Sequence, residues 1–576
     1  MESQLKKIMQ SDLPQLCKIN TVPTLKERRK KQSQRNQKNK RKKNNANVKS
    51  PSQQQISKLL GHYQNRQYSE AEGLALVITQ QHPEHQFGWK VLGAVLDETG
   101  RHTEAVNVNL NALRLGPQDA EVHNNLGKTL QVLGRLSEAE EYLRHALELK
   151  NDFTQASNNL AITLKNLGRL EEAEATLRET IVIEPDYANA HLNLGCVLQE
   201  LGRIDAAKAS YIQTIELKPD YEHAHRNLAS ALVALGRPKE AVISYRHSIA
   251  LKPGDATVHN NLGLALADLG QLDEAEASFR QAIDLKSDFV QAHNNLGNTL
   301  KQLEKWDESE SSYRQAIKLQ PDLLDARSNL LRCWYLLDNE SAVINELDSL
   351  IKQDKTNSLI GSLTCRSKLK YGHQLPNLFC NNPLQYVSHI DLNDQYKFQE
   401  IFAQKIKSLL DQDRLSNKTQ PLLVNGHQTS GNLFHLENIF IEDLEKAIRL
   451  EIENYRSNFR DSEEGLITKW PADYTLSGWL ISMKSGGALA PHIHDEGWLS
   501  GSIYINVPAK SKPDSGNLVV SLGNDFDMTG SRLNVTKTIN VETGSLVLFP
   551  SSLTHHTIPF DADEERIVLA FDVIKK

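Results

Sequence analysis

The 576-residue chain has five cysteines, Cys17, Cys196, Cys333, Cys365 and Cys380, and no two of them form a CxxC-type pair. That spacing excludes a cysteine zinc site, offers no disulfide framework, and suits a reducing compartment. Long apolar runs are also missing. No stretch approaches about eighteen uninterrupted apolar residues, and the N-terminal residues contain no apolar signal core, so no membrane span and a cytoplasmic location are expected. Acidic residues all but vanish between Lys26 and Lys49, where twelve Lys and Arg face Glu27 alone, about +11. With the whole chain at −6, the remainder carries about −17. A segment so poor in apolar residues cannot bury enough surface to offset its ordering entropy. Residues 1–50 are therefore expected to form a disordered basic tail. Such a tail either touches nucleic acid or another anionic surface, or serves as a solvated arm beside the protein's own acidic body.

The middle of the chain is periodic. Gly100, Gly134, Gly168, Gly202, Gly236 and Gly270 recur 34 residues apart, and Glu304 takes the next place in phase. Apolar residues at three- and four-residue steps flank each turn, as in "HNNLGKTLQVL" and "LSEAEEYLRHALEL", which predicts paired amphipathic helices. Gly127, Gly195, Gly263 and Gly297, with Ala139, Ala173, Ala207, Ala241 and Ala275, are small enough to let the paired helices approach closely. Pro185, Pro219, Pro253 and Pro321 close their units, because proline cannot continue a helix. This pattern resembles the tetratricopeptide repeat over roughly residues 52–357, about nine units with degenerate ends. The resemblance implies a right-handed superhelix whose concave groove binds protein segments.

An asparagine stands in phase in seven first helices: Asn125, Asn159, Asn193, Asn227, Asn261, Asn295 and Asn329. Asparagine is a mediocre helix residue, so seven in register need a reason. An amide both donates and accepts. A ladder of amides could grip an extended peptide backbone, or each amide could bond the neighbouring helix and set the pitch. The "HNNLG", "LGR" and "PD" pattern is similar to the repeats of O-GlcNAc transferases, which implies the peptide-binding role. Sugar transfer itself is not expected, since no glycosyltransferase-like region follows. His123, His191, His225, His259 and His293 are also in phase, but stacked units hold them too far apart for one metal, so packing or rim contacts are expected.

Beyond about residue 357 the rhythm stops. Two helical patterns, "QYKFQEIFAQKIKSLLDQ" and "IFIEDLEKAIRLEIENYRSNF", precede short β-rich runs: "YTLSGWLISMK", "GSIYINV", "NLVVSL", "KTINV", "SLVLFP" and "RIVLAFDVI". Short strands with turn signals between them predict a sandwich or jelly roll, with the helices on one face. In "PHIHDEGWLSG", His492 and His494 would share one side of a strand and offer two nitrogens to one ion. His555 and His556 follow another strand. Arg566 opens the last one, where a planar guanidinium could hold a carboxylate through two hydrogen bonds.

Spacing and motif together resemble the 2-oxoglutarate- and iron(II)-dependent dioxygenases over roughly residues 374–576, most sharply from Pro491 to Val573. The resemblance implies His492 and His555 as iron ligands, Arg566 on the far carboxylate of 2-oxoglutarate, and Tyr504 beside it. His556 falls where relatives carry glycine. The family's carboxylate position is occupied by His494, a departure that leaves the third ligand open between His494 and Asp495, or absent. Trp498 would line an entrance or belong to the core.

The expected molecule is multidomain. An all-α tetratricopeptide superhelix over 51–357 and a helical or irregular connection over 358–420 lead into an α+β jelly roll, the double-stranded β-helix, over 421–576. The implied activity is hydroxylation of a captured protein or peptide with Fe(II) and 2-oxoglutarate. The alternatives are a non-catalytic interaction scaffold, or an oxygenase for a small molecule or glycan whose repeats only tether it.

Overall fold

The structure is a computed structural model that describes residues 50–410, 417–418, 420, 422–436, 438–523 and 535–576. Apart from Ser50, the basic tail lies outside the described residues. These fall into two compact units, one ending at Leu167 and the other beginning at Gly168. No helix among them is long and apolar enough to cross a membrane.

The first unit is a run of helices: Gln53–Gln64, Tyr68–Gln81, Gln86–Glu98, His102–Leu115, Ala120–Val132, Leu136–Leu149 and Thr154–Asn166. The second opens with helix Leu170–Ile183. Helix pairs follow, from Ala188–Glu200 with Ile204–Leu217 through to Leu324–Leu336 with Glu340–Lys352. Each repeat turns at a residue with positive φ, a conformation that glycine adopts without a Cβ penalty. The geometry outlasts the glycine. Arg66, Glu304 and Asp338 hold φ of 55°, 58° and 58° at the same phase, so packing of the two helices fixes the turn there.

Each half of a repeat shows why its residues were chosen. The phased alanines Ala139, Ala173, Ala207, Ala241 and Ala275 are fully buried. The glycines of the first helices leave room for a side chain of the second: a Cβ on Gly263 would stand 2.7 Å from Phe279, and one on Gly297 2.6 Å from Tyr313. The phased histidines are packing residues. Nε2 of His191, His225 and His259 donates to the carbonyl of Pro185, Pro219 and Pro253 at 2.8–3.0 Å, tying each helix to the turn before it. His123 and His293 bond Pro117 and Ser287 in the same way.

The array ends on one further helix, Ser358–Tyr371. The Asn357 side chain caps its start and Gly372, in the left-handed region, ends it. The C-terminal domain then contributes strands β1 (Ser388–Asp391), β2 (Asn417–Lys418), β3 (Leu423–Thr429), β4 (Tyr474–Leu489), β5 (Gly497–Asn506), β6 (Leu518–Ser521), β7 (Thr536–Ile539), β8 (Ser545–Pro550), β9 (Thr554–Thr557) and β10 (Arg566–Lys575). They form a seven-stranded sheet, β1-β8-β5-β10-β4-β3-β2, and a three-stranded one, β7-β6-β9. All pairings are antiparallel.

Strand period decides what faces what. On β10, Ile567, Leu569, Phe571 and Val573 pack with Ile441, Leu444, Ile448 and Ile452 of helix Ile439–Asn458 on the outer face of the large sheet. Val568 packs instead with Tyr504, Leu518, Val520, Val547 and Phe549 between the two sheets. Arg566 and Asp572, an even number of positions from Val568, share its inward side.

This domain is docked on the repeats. Two positive-φ glycines, Gly236 of a repeat turn and Gly431 of the barrel, meet backbone to backbone, so that a Cβ on Gly236 would run into the Ser430 carbonyl. Ile493 packs into a cluster with Tyr313, Leu330, Leu331 and Leu359. Arg332 forms an ion pair with Asp495. Ser358 Oγ donates to the carbonyls of His494 and Asp495 at 3.3 and 3.0 Å.

Candidate metal centre and cosubstrate cavity

The loop from β4 to β5 carries "PHIHDE". Only His492 of this loop is bridged to a strand: its N–H donates to the His555 carbonyl (3.1 Å) and its carbonyl accepts from the His555 N–H (2.9 Å). His494 is thus presented by irregular chain, not by the strand expected from the sequence, because β4 ends at Leu489 just before Pro491. The two rings converge all the same. With His555 they form a group whose ligand atoms lie within 4.8 Å of one another, among the described residues.

Hydrogen bonds set the tautomers. A carbonyl can only accept, so Nδ1 of His492, 2.9 Å from the Ala490 oxygen, carries the proton. Nδ1 of His494 likewise faces the Asp572 carboxylate at 2.7 Å. Both Nε2 atoms are then bare when the rings are neutral, yet they stand 3.2 Å apart. Two lone pairs so placed repel unless a proton on one ring or a metal ion lies between them. Two nitrogens held about 2.1 Å from one ion are separated by about 3.0–3.4 Å, so the spacing fits a metal. His555 is 5% exposed and its Nδ1 has no partner.

Electrostatics keep two of these rings neutral. Burial, helped by His494, pushes the pKa of His492 down to about 4. Burial pushes His555 well below its ordinary value, with His492 and His494 adding to the effect. His494 moves the other way. Burial opposes its charge, but the charge and hydrogen bond of Asp572 outweigh burial and raise it. Ser500 Oγ donates to the same Asp572 oxygen at 2.7 Å and meets Ser551 Oγ at 2.8 Å. Asp572, Ser500 and Ser551 were not singled out in the sequence. The available signal was the one acid inside the apolar run "RIVLAFDVI".

Asp495, the alternative third ligand, is not in the histidine group; it lines the same cavity, pairs with Arg332, and keeps its other oxygen buried without a partner. Trp498 belongs to the core: it is 8% exposed, donates to the Leu466 carbonyl at 2.8 Å, and stacks edge-on against Phe379.

The three imidazoles line a cavity of about 340 Å³ that also contains Arg566, Tyr504, Trp479 and Arg332. Arg566 is 1% exposed, its Nε has no partner, and its guanidinium lies 5.0 Å over the Tyr504 ring. Among the described residues, no carboxylate bonds it. Burial draws the guanidinium pKa down, with Tyr504 pulling against that trend. A buried cation left uncompensated is costly, so the cavity is built to receive an anion there. Ile481, Met483, Leu489 and Val568 supply apolar wall, beside polar groups from Gln428, Ser502 and Thr557.

The phased asparagines are all half-buried. Nδ2 of Asn159 donates to Asn124 (2.9 Å), that of Asn295 to Asn260 (3.0 Å), and that of Asn329 to Asn294 (3.4 Å), each in the preceding repeat. Asn227 reaches Cys196 Sγ at 3.4 Å, and Asn261 accepts from Asn260 at 3.2 Å. Asn125 and Asn193 stand at the same position.

Comparison with known proteins separates the two halves of the chain. Residues 477–572 match the family model described as "Putative 2OG-Fe(II) oxygenase". Tetratricopeptide repeat models match residues 132–194, 192–256, 264–304 and 290–323. No curated protein matches the chain. Among solved structures, YrrB, titled a TPR protein with an unusual peptide-binding site, is 24% identical over 32% of this chain and 96% of that one, with a TM-score of 0.30. The Cut9–Hcn1 hetero-tetramer of APC/C is 16% identical over 48% and 55%, TM-score 0.39. Pseudomonas aeruginosa pilF is 19% identical over 36% and 95%, TM-score 0.34. The chain joins an array of tetratricopeptide repeats to a C-terminal domain that matches the 2OG-Fe(II) oxygenase family.

Proposed function

We propose that the protein is a 2-oxoglutarate- and Fe(II)-dependent hydroxylase acting on a protein or peptide held by its repeats. The observation that carries this reading is the pairing, in one cavity, of convergent imidazole nitrogens with the buried guanidinium of Arg566, whose Nε has no partner. His492, His494 and His555 would hold the metal. Arg566, with Tyr504 beside it, would hold the far carboxylate of the cosubstrate. When bound, iron(II) and 2-oxoglutarate supply, with oxygen, an oxidative decarboxylation coupled to hydroxylation of a C–H bond. Asp572 keeps the proton of His494 on Nδ1 and so directs Nε2 inward. Arg332 restrains the loop between the two histidines through Asp495.

A second cavity, about 550 Å³, supports a substrate presented by the repeats. Its walls come from Val233, Gly236 and Asp268 of the array and from Trp479, His494 and Asp572 of the barrel. A segment lying on the array would therefore reach the metal side of the barrel without leaving the protein surface. The half-buried asparagines of the second unit, Asn193, Asn227, Asn261, Asn295 and Asn329, are the groups we assign to its backbone, accepting through Oδ1 where Nδ2 is already engaged. Holding the substrate there would raise its local concentration at the barrel mouth.

The test is succinate formation from 2-oxoglutarate by the full chain with iron(II) and oxygen, beside a His555→Ala control. Succinate that disappears in the variant supports the reading. Absence of succinate together with absence of iron(II) binding would leave an interaction scaffold.

A further inference from the structure

On the far side of His492 lies a third cavity, about 250 Å³, lined by Arg332, Tyr335, Leu359, Arg366, Pro491 and Thr554 among others. Arg332, His492 and Ile493 line this cavity and the cosubstrate cavity alike. Its polar groups are dominated by cations. Arg366, on helix Ser358–Tyr371, spends one Nη2–H on Thr554 Oγ1 at 2.5 Å, while its buried Nε has no partner. Among the described residues, Arg332 pairs with Asp495. Lys301, half-buried on helix Val290–Gln302 and outside the lining, makes no ion pair among the described residues and feels Arg332 as a like charge.

Asp495 is the one carboxylate that acts on both Lys301 and Arg366. Three cations therefore share one anion. Burial first, then Arg332, draws Arg366 down to about 10, so the guanidinium sits where its charge is poorly supported. A packing role would not require this, since an apolar side chain would fill the same space without the repulsion. The opposing walls are apolar, from Leu336, Leu359, Leu363 and Ile493. An apolar stem ending in an anionic head fits such a cavity, with the head between the two guanidinium forks.

We propose that this cavity is an anion subsite, read by Arg366 and Arg332, for a carboxylate or phosphate carried by the substrate close to the group that is oxidised. The link to oxidation rests on the hydroxylase reading above; the binding itself does not. A peptide bearing an acidic side chain beside the modified residue is the source that the array favours.

The experiment is calorimetric titration of the metal-free full chain with hexanoate, pentyl phosphate and hexan-1-ol, in the wild type and in Arg366→Gln, Arg366→Lys and Arg566→Gln. Both anions should bind, the alcohol should not, and Arg366→Gln should weaken the anions about tenfold or more. Arg366→Lys should recover part of the loss. Arg566→Gln removes whatever hexanoate the cosubstrate cavity takes, and the Arg366-dependent binding should persist in it. Phosphate binding more tightly than carboxylate would identify a phosphorylated substrate; the reverse would identify an acidic one. Equal binding of the alcohol would overturn the proposal, as would loss of hexanoate in Arg566→Gln but not in Arg366→Gln. A failure of succinate formation would leave these titrations standing, so the two readings fail separately.

Discussion

Nδ1 of His494 and Oδ1 of Asp572 lie 2.7 Å apart, and they join the loop that carries two imidazoles to the last strand of the barrel. If His494 holds the proposed metal, the ligand is an imidazole with a carboxylate behind it. Such a partner fixes ring orientation and raises ligand basicity. Asp572→Asn should lower affinity for iron(II) or cobalt(II) by about 10–100-fold. Titration of the metal by absorbance or calorimetry checks this, and an unchanged constant would show that His494 needs no such support.

Arg566 offers a sharper contrast. Its guanidinium is buried without a carboxylate, so Arg566→Met should leave the cosubstrate-free protein as stable as before, or more so. Cosubstrate binding should weaken by about 2–5 kcal/mol, at least thirtyfold. Thermal melts with and without 2-oxoglutarate measure both at once. A variant less stable in the absence of cosubstrate would mean that Arg566 is structural.

Two glycines at one repeat position should behave differently. Gly236 and Gly270 have φ of 70° and 73°. Around Gly270 there is open space, whereas Gly236 abuts Ser430 and Gly431. Gly270→Ala should cost about 1 kcal/mol, the strain of the left-handed conformation alone. Gly236→Ala should cost clearly more and loosen the barrel, seen as faster proteolysis near residue 430. Equal costs would show that the contact between the two glycines carries no weight.

Glu304 is exposed and keeps a φ of 58° without a glycine's freedom. Glu304→Gly removes that strain but makes the unfolded chain more flexible. The balance should be a gain of about 0.5–1 kcal/mol, read as a rise in the urea midpoint.

What was legible in the sequence follows from which forces act locally. The 34-residue phase shows the repeats because each unit buries the same face against its neighbour. The runs around β4, β5, β6, β8 and β10 were plain, being apolar and bounded by turn residues. β1 and β9 were not: each has four residues, and β9 reads "THHT", with nothing apolar to mark it. The pattern "QYKFQEIFAQKIKSLLDQ" read as one helix, yet the chain breaks at Lys397, which takes a φ of 47°. The site was half visible. His492, His555, Arg566 and Tyr504 were named through the family resemblance, but Asp572 needed strand pairing to settle which side of β10 faces inward. The partnership of Arg332 with Asp495, 163 residues apart, leaves no local trace.

That partnership sets a limit on dissection. Arg332 and Ser358 belong to the helices of the array, yet one pairs with Asp495 and the other bonds the carbonyls of His494 and Asp495. Cutting the gene where the repeats seem to end, near residue 360, would remove both and strip the cover from Ile493. The smallest piece able to stand for the intact centre must carry its last repeats with it, so the border between the binding half and the chemical half is a line in the sequence that the folded protein does not respect.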